Sequence, residues 1–238
     1  MPIANFTVVL LLLTTLAPVS FAQTLEKKPE TLAPLPLGQL LIVGFKGTRL
    51  NDGLEEVIRE TKPGGILLFS RNVKSAEQVA SLNHAAQTLS KRVTGKPLLI
   101  AIDQEGGNVV RIRNTPMLPS ALAISKTHDL TVARRAGLAT GRLLRSMGIN
   151  VNLAPVVDVS NPDTDGFLGT RSFGNDARRV SAMTTALAMG LQENGVLPVA
   201  KHFPGHGGIV QDSHLVTPTK NESLETLETR ELVPFKGF

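Results

Sequence analysis

Five short apolar runs alternate with longer stretches of helical period, and that alternation leaves few folds open. The runs cover 39–45, 65–70, 97–103, 149–158 and 197–203. Between them, apolar residues recur every three to four positions. Asn51 can cap a short helix carrying Leu54, Val57 and Ile58. Ser75, with Gln78 three residues on, forms a capping box ahead of Val79, Leu82, Ala86 and Leu89. Residues 131–147 and 178–194 each carry a long apolar face and run into Gly148 and Gly195. A left-handed Gly just past a helix end turns the chain into the next strand. A last helical stretch covers about 222–232. Apolar strands joined by helical crossovers predict a parallel sheet covered on both faces. Five such strands suit an open α/β sheet or the first part of a β/α barrel, which has eight strands in full.

The segment before the first run has a different character. Phe6 to Leu13 form an apolar block, and Ser20 and Ala22 suit cleavage before Gln23. Residues 1–22 therefore read as a signal peptide, and residues 23–36, with three Pro, as an extended tether. Export to the periplasm or the medium is expected, with an uncleaved anchor as the rival. No stable membrane span is expected after cleavage, because the block falls short of the ~20 apolar residues a helix needs to cross a bilayer. The barrel-type domain then runs from 37 to 238. The chain has no Cys, which excludes disulfides, thiolate metal sites and a catalytic Cys. It has neither Trp nor Tyr, so any stacking on a ligand falls to Phe, His or Arg. The net charge of +5 is scattered, without the basic runs of a nucleic-acid footprint.

Polar residues gather where the strands end, which is where catalytic groups sit in parallel α/β folds. Strand three ends in Asp103 and Glu105, beside Gly106 and Gly107. Asp103 is a candidate ligand-holding carboxylate, whereas Glu105 reads as a residue that shapes the loop. Strand four ends in Asp158, which reads as a turn carboxylate. Arg171, next to Phe173 in a Gly-flanked loop, suits a clamp for an anion or a hydroxyl. Lys201 and His202 adjoin on a strand that should be buried. A buried Lys is costly unless paired, so a polar pocket is expected there. Three of the five His lie within residues 202–214. Asp212 and His214 straddle Ser213, a spacing that lets a carboxylate orient an imidazole. No phosphate-cradling Gly motif is present.

The set IDQEGG (102–107), NVNLAPVVDV (150–159), RSFG (171–174), KHFPGHG (201–207) and DSH (212–214) resembles family 3 glycoside hydrolases. It is most similar to the bacterial β-N-acetylglucosaminidase branch. The resemblance implies a (β/α)8 barrel, of which about five of eight strands lie in this chain. It implies retaining hydrolysis of terminal β-linked N-acetylglucosamine from muropeptides or chitin-like oligosaccharides, with no metal cofactor. Asp103, Arg171, Lys201 and His202 would hold sugar hydroxyls. His214, oriented by Asp212, would be the general acid/base. The family's nucleophile, an Asp on a later strand, has no counterpart here, so the chain alone is expected to be inactive and unstable. Glu222, Glu225, Glu228 and Glu231 are expected on an exposed helix. Two alternatives stay open. One is a metal-dependent hydrolase using His202, His206, Asp212 and His214; the other is a non-catalytic sugar-binding remnant.

Overall fold

The computed structural model of the chain describes residues 8–10, 36–113, 118–161, 165–209, 217 and 219–238. Six strands form one sheet in sequence order: β1 (Val8–Leu10), β2 (Leu41–Gly44), β3 (Gly65–Leu68), β4 (Leu99–Ile102), β5 (Val151–Asn152) and β6 (Leu197–Pro198). The last five are parallel, with Ile66 opposite Ile100 and Val151 opposite Leu197. A doubly wound sheet reverses its order at a switch point. This one never does, so it has the strand order of a barrel wall, and the wall is not closed. β1 lies antiparallel on β2, with Val8 opposite Val43. Part of the expected leader thus covers the sheet edge and pairs the backbone groups that β2 would otherwise leave open.

The helices are α1 (Asp52–Glu56), α2 (Ala76–Thr94), α3 (Ala121–Ser125), α4 (Leu130–Ser146), α5 (Ala177–Gln192), α6 (Leu224–Thr226) and α7 (Val233–Gly237). Among the described residues no helix is long and apolar enough to cross a membrane. Period-two alternation sorts the strand side chains. Ile66, Leu68, Ile100 and Ile102 face the main core, where Val79, Leu82 and Leu144 also pack. Leu67, Ala101 and Val151 face the other way, into a smaller cluster.

Local chemistry accounts for most element ends. Ser75 Oγ accepts from Gln78 N at 3.1 Å, as the capping box requires. The reciprocal bond shifts by one residue, since Gln78 Oε1 accepts from Lys74 N at 2.6 Å. Asp129 and Asp176 cap α4 and α5. Gly148 and Gly195 are left-handed, with φ of 75° and 69°. At each, the next residue's N–H reaches back to the helix, Ile149 N to Leu144 O and Val196 N to Leu191 O. Both ends are therefore Schellman motifs.

Three expectations change. β5 and β6 are two residues each, shorter than the runs 149–158 and 197–203. Pro155 and Pro198 cannot donate to a ladder. The side chain of Asn152 fills in, accepting from Gln104 N and donating to Gln104 O. Next, α3 is a five-residue helix too short for periodicity to mark. Last, the terminal helical stretch continues past 232, through a π turn at Leu227–Glu231 into α7, which carries Pro234 in its first turn.

α4 and α5 cross at a contact that only Gly allows. A Cβ on Gly190 would lie 2.3 Å from Arg134 O and 2.6 Å from Leu138 N. Helix propensity alone favours Ala over Gly by ~1 kcal/mol. Backbone cannot yield as a side chain would, and overpacking costs up to ~3 kcal/mol. Gly190→Ala is therefore expected to destabilise by ~2 kcal/mol in urea unfolding. A neutral or stabilising result would show that the helices can slide apart freely.

Candidate active site

The carboxyl ends of β4, β5 and β6 bring four charged side chains into one cluster. Lys201 Nζ bridges two carboxylates, Asp103 Oδ1 at 2.8 Å and Glu105 Oε1 at 2.7 Å. Arg171 holds Glu105 from the other side with a two-pronged contact, Nε at 2.8 Å and Nη2 at 2.9 Å. Arg111 Nη2 adds a longer contact to Asp103 at 3.4 Å. Side-chain exposures of 6% for Glu105 and 15% for Lys201 put the pairs largely out of water. Burial pushes the Asp103 and Glu105 carboxyls up. For Asp103 the bonds and charges of Lys201 and Arg111 outweigh it, and for Glu105 those of Arg171 and Lys201 do, so both lie below the ordinary carboxylate range. For Arg171, burial opposes the charge and Glu105 restores it, with the net direction upward.

A second carboxylate organises the His-rich loop. Asp158 is fully buried and accepts from His202 Nδ1 at 2.6 Å, from His202 N at 3.2 Å and from His206 N at 2.6 Å. Burial raises its pKa, the His202 bond and charge and the two amides lower it, and the net shift is downward. The bond to Asp158 fixes the imidazole of His202 and turns its Nε2 away from that partner. His206 stacks on Phe167 with ring centroids 4.5 Å apart, and Arg171 lies 5.4 Å from the same Phe167 ring. Ser172 Oγ donates to Asp158 O at 3.0 Å, tying the loop of Arg171 to the end of the fourth apolar run.

Asp103, Arg171, Lys201 and His202, expected to act together, do converge here. Asp212 and His214 lie outside the described residues. Glu105 and Asp158 carry more of the architecture than their sequence positions suggested. Both look like loop residues in the sequence. Their importance comes from cations and amides far along the chain, His202 lying 44 positions from Asp158 and Arg171 66 positions from Glu105. A better signal was available in the buried Lys201, which had to find an anion. Glu231 corrects the expectation of an exposed helix, because its side chain is fully buried. It pairs with Arg230 and with Lys220 at 3.0 Å, and Lys220 Nζ donates to Gly207 O at 2.6 Å. The C-terminal helix thus braces the His-rich loop from below. Of the four residues in the metal-hydrolase alternative, His202 is committed to Asp158 through Nδ1 and His206 is packed against a ring. Among the described residues no group of three or more His, Asp and Glu is placed to hold a metal ion.

The arrangement can do specific chemistry. Alternating carboxylates and cations present donors and acceptors side by side, which suits a polyhydroxylated ligand with both.

Residues 35–238 match the N-terminal domain of glycosyl hydrolase family 3. A beta-hexosaminidase of Methylococcus capsulatus is 36% identical over 196 residues, covering 81% of this chain and 57% of that protein. A family 3 beta-N-acetylglucosaminidase structure from Paenibacillus sp. superposes with a TM-score of 0.82 at 39% identity, covering 85% of this chain and 39% of that one. NagZ from Neisseria gonorrhoeae, solved in complex with N-trifluoroacetyl-D-glucosamine, gives a TM-score of 0.75 at 32% identity, covering 82% and 58%. The chain spans just over half the length of the curated relative. With the sequential parallel sheet, the match over nearly all of the described residues places this chain in glycosyl hydrolase family 3, within its N-terminal barrel domain.

Proposed function

We propose that this chain forms the sugar-gripping part of a retaining hydrolase that removes terminal β-linked N-acetylglucosamine from muropeptides or chitin-like oligosaccharides. The observation that carries the reading is the Asp103–Lys201–Glu105–Arg171 cluster, set beside an Asp158-locked His202. Asp103, Arg171, Lys201 and His202 would hold the hydroxyls of the non-reducing sugar. The relatives named beta-hexosaminidase and beta-N-acetylglucosaminidase support the choice of sugar. His214 would be the general acid/base, with Asp212 setting its tautomer and stabilising the imidazolium. A retaining reaction also needs a carboxylate nucleophile ~5 Å from the acid/base function. Asp103, Glu105, Asp158 and Glu231 are each engaged by cations or amides. That supports assigning the nucleophile to none of them. The apolar block at 6–13 supports export.

Titration of N-acetylglucosamine into the protein, followed by NMR, tests the grip. Saturable binding is expected, and Asp103→Asn is expected to weaken it at least tenfold, since hydrogen bonds to charged groups contribute ~1.5–3 kcal/mol. Binding that ignores this substitution would place the sugar elsewhere. Turnover of a chromogenic N-acetyl-β-glucosaminide by the intact gene product tests the reaction. His214→Ala should lower kcat by ~10²–10⁴, and the first-formed product should be the β-anomer. Binding without turnover would favour the sugar-binding remnant, and loss of turnover on chelation would favour the metal-dependent alternative.

A further inference from the structure

The side chain of Glu231 is fully buried and only half used. Oε1 meets Lys220 at 3.0 Å and also Arg230, while Oε2 has no partner. That free oxygen lies against the His-rich loop, where a Cβ on Gly205 would come within 2.7 Å of it. Arg230 Nη2 donates in turn to Val159 O at 3.1 Å. A buried ion pair contributes little net stability, because desolvation offsets the attraction. A carboxylate held out of water at this cost points to a role other than stability, and the second contact of Lys220 shows which.

Lys220 Nζ donates to Gly207 O at 2.6 Å, across 13 positions of sequence. Gly207 is itself seated on the end of the fourth apolar run, since a Cβ there would lie 1.9 Å from Val159 O. Next to it, Gly208 N donates to Asp165 Oδ2 at 3.4 Å. Gly207 is thus pinned to the body of the domain, and Lys220 is tied to the same point. The stretch of sequence between these two residues carries Asp212 and His214. The sugar-gripping residues hang on other anchors: His202 on Asp158, and Lys201 on Asp103 and Glu105. The Lys220 brace can therefore be perturbed without releasing them.

We propose that Lys220, held by Glu231, is a positioning residue for proton transfer, fixing the two points between which His214 is strung. This rests on the reading of His214 as the general acid/base. A general acid must lie within ~2.6–3.2 Å of the oxygen it protonates. A misplacement of ~1 Å caused far from the chemistry can cost ~100-fold. Lys220 acts through His214, so its loss falls on protonation of the leaving group and spares sugar binding.

Two aryl N-acetyl-β-glucosaminides test this in the intact gene product, with kcat/KM reporting cleavage of the glycosidic bond. A 2,4-dinitrophenyl group leaves without a proton, whereas a phenyl group needs one. Lys220→Met is expected to lower kcat/KM about 10- to 100-fold on the phenyl glycoside and about threefold or less on the dinitrophenyl one. N-acetylglucosamine binding, read by NMR, should be unchanged. Lys220→Arg, which keeps a cationic donor, should recover most of the loss. Lys220→Met with Glu231→Gln removes the stranded charge, and should keep a cooperative thermal melt with the same selective loss. In a His214→Ala background, Lys220→Met should have no further effect on either glycoside. Equal losses on the two glycosides, weakened sugar binding, a further loss in the His214→Ala background, or failure of both Lys220→Met proteins to fold would each overturn the proposal. His214→Ala separates the two readings. If its own loss is equal on both glycosides, the acid/base reading fails and takes the proposal with it. If its loss is selective and that of Lys220→Met is not, the proposal alone fails.

Discussion

Lys201→Met is expected to destabilise the protein by ~3 kcal/mol and to weaken N-acetylglucosamine binding by ~10- to 100-fold. Lys201 is in direct contact with both Asp103 and Glu105, at 2.8 and 2.7 Å. Met keeps most of the volume and the apolar stem, so the change isolates the ammonium. Removing one partner of a buried pair typically costs ~3–5 kcal/mol, because the other charge is left behind. Here the low end applies, since Glu105 keeps Arg171 and Asp103 keeps Arg111. The binding loss follows from one missing charge-assisted hydrogen bond of ~1.5–3 kcal/mol. A double variant separates the two roles. Lys201→Met with Glu105→Gln removes the carboxylate that the first change strands. Its stability cost should fall short of the sum of the single changes by ~1–3 kcal/mol. Additive costs in urea unfolding would mean that Lys201 and Glu105 do not share a buried pair.

This pairing also marks how far the sequence could lead. The alternation of apolar runs and helical faces was enough for the parallel sheet, and Gly148 and Gly195 were enough for two helix ends. Each of those features is written within a few consecutive residues. Asp103, Lys201 and His202 could be named because each is an unusual residue on or at the end of an apolar run, and Arg171 because it stands beside Phe173 in a Gly-flanked loop. The partners were hidden for a physical reason. A carboxylate such as Glu105 has the same local context whether it shapes a turn or anchors two cations. What decides is the register that sets Ala101 beside Val151 and Val151 beside Leu197, bringing three strand ends together. Glu231 was misplaced similarly. Its helical spacing matches that of its exposed neighbours, and only the loop packed above it, with Lys220 reaching Gly207 O, makes its position interior. Strand lengths were overestimated because hydropathy registers an apolar run and not the missing N–H of Pro155 and Pro198.

Asp158→Asn is expected to cost ~3–5 kcal/mol at pH 7 and to lower kcat/KM of the intact gene product at least 100-fold. The carboxylate receives three N–H groups, two backbone and one imidazole, with no exposure to water. Asn can accept with only one of its two termini; the other is an NH2 that would face donors. Stranding buried donors costs ~1–3 kcal/mol each, and losing the charge beside His202 adds to it. The functional loss follows from connectivity. The loop released by this change carries His202 and adjoins Lys201, so both leave the geometry that grips the sugar. The pH dependence gives a sharper check. The Asp158 pKa is lowered on folding, so its contribution is fully present above the unfolded value of ~3.9 and is lost as pH falls through the folded value. The stability gap between wild type and Asp158→Asn should therefore be widest at neutral pH and narrow below about pH 4. Urea unfolding of both proteins along a pH series reads that gap directly. A gap that stays constant from pH 7 down to the acid limit of folding would mean that Asp158 is not the ionised acceptor organising the loop. The same series on Glu105→Gln serves as an internal comparison, because Glu105 is also depressed but answers to Arg171 and Lys201 and not to the imidazole. Its gap should close over the same acid range while His202 stays in place, separating collapse of the charge cluster from release of the His-rich loop.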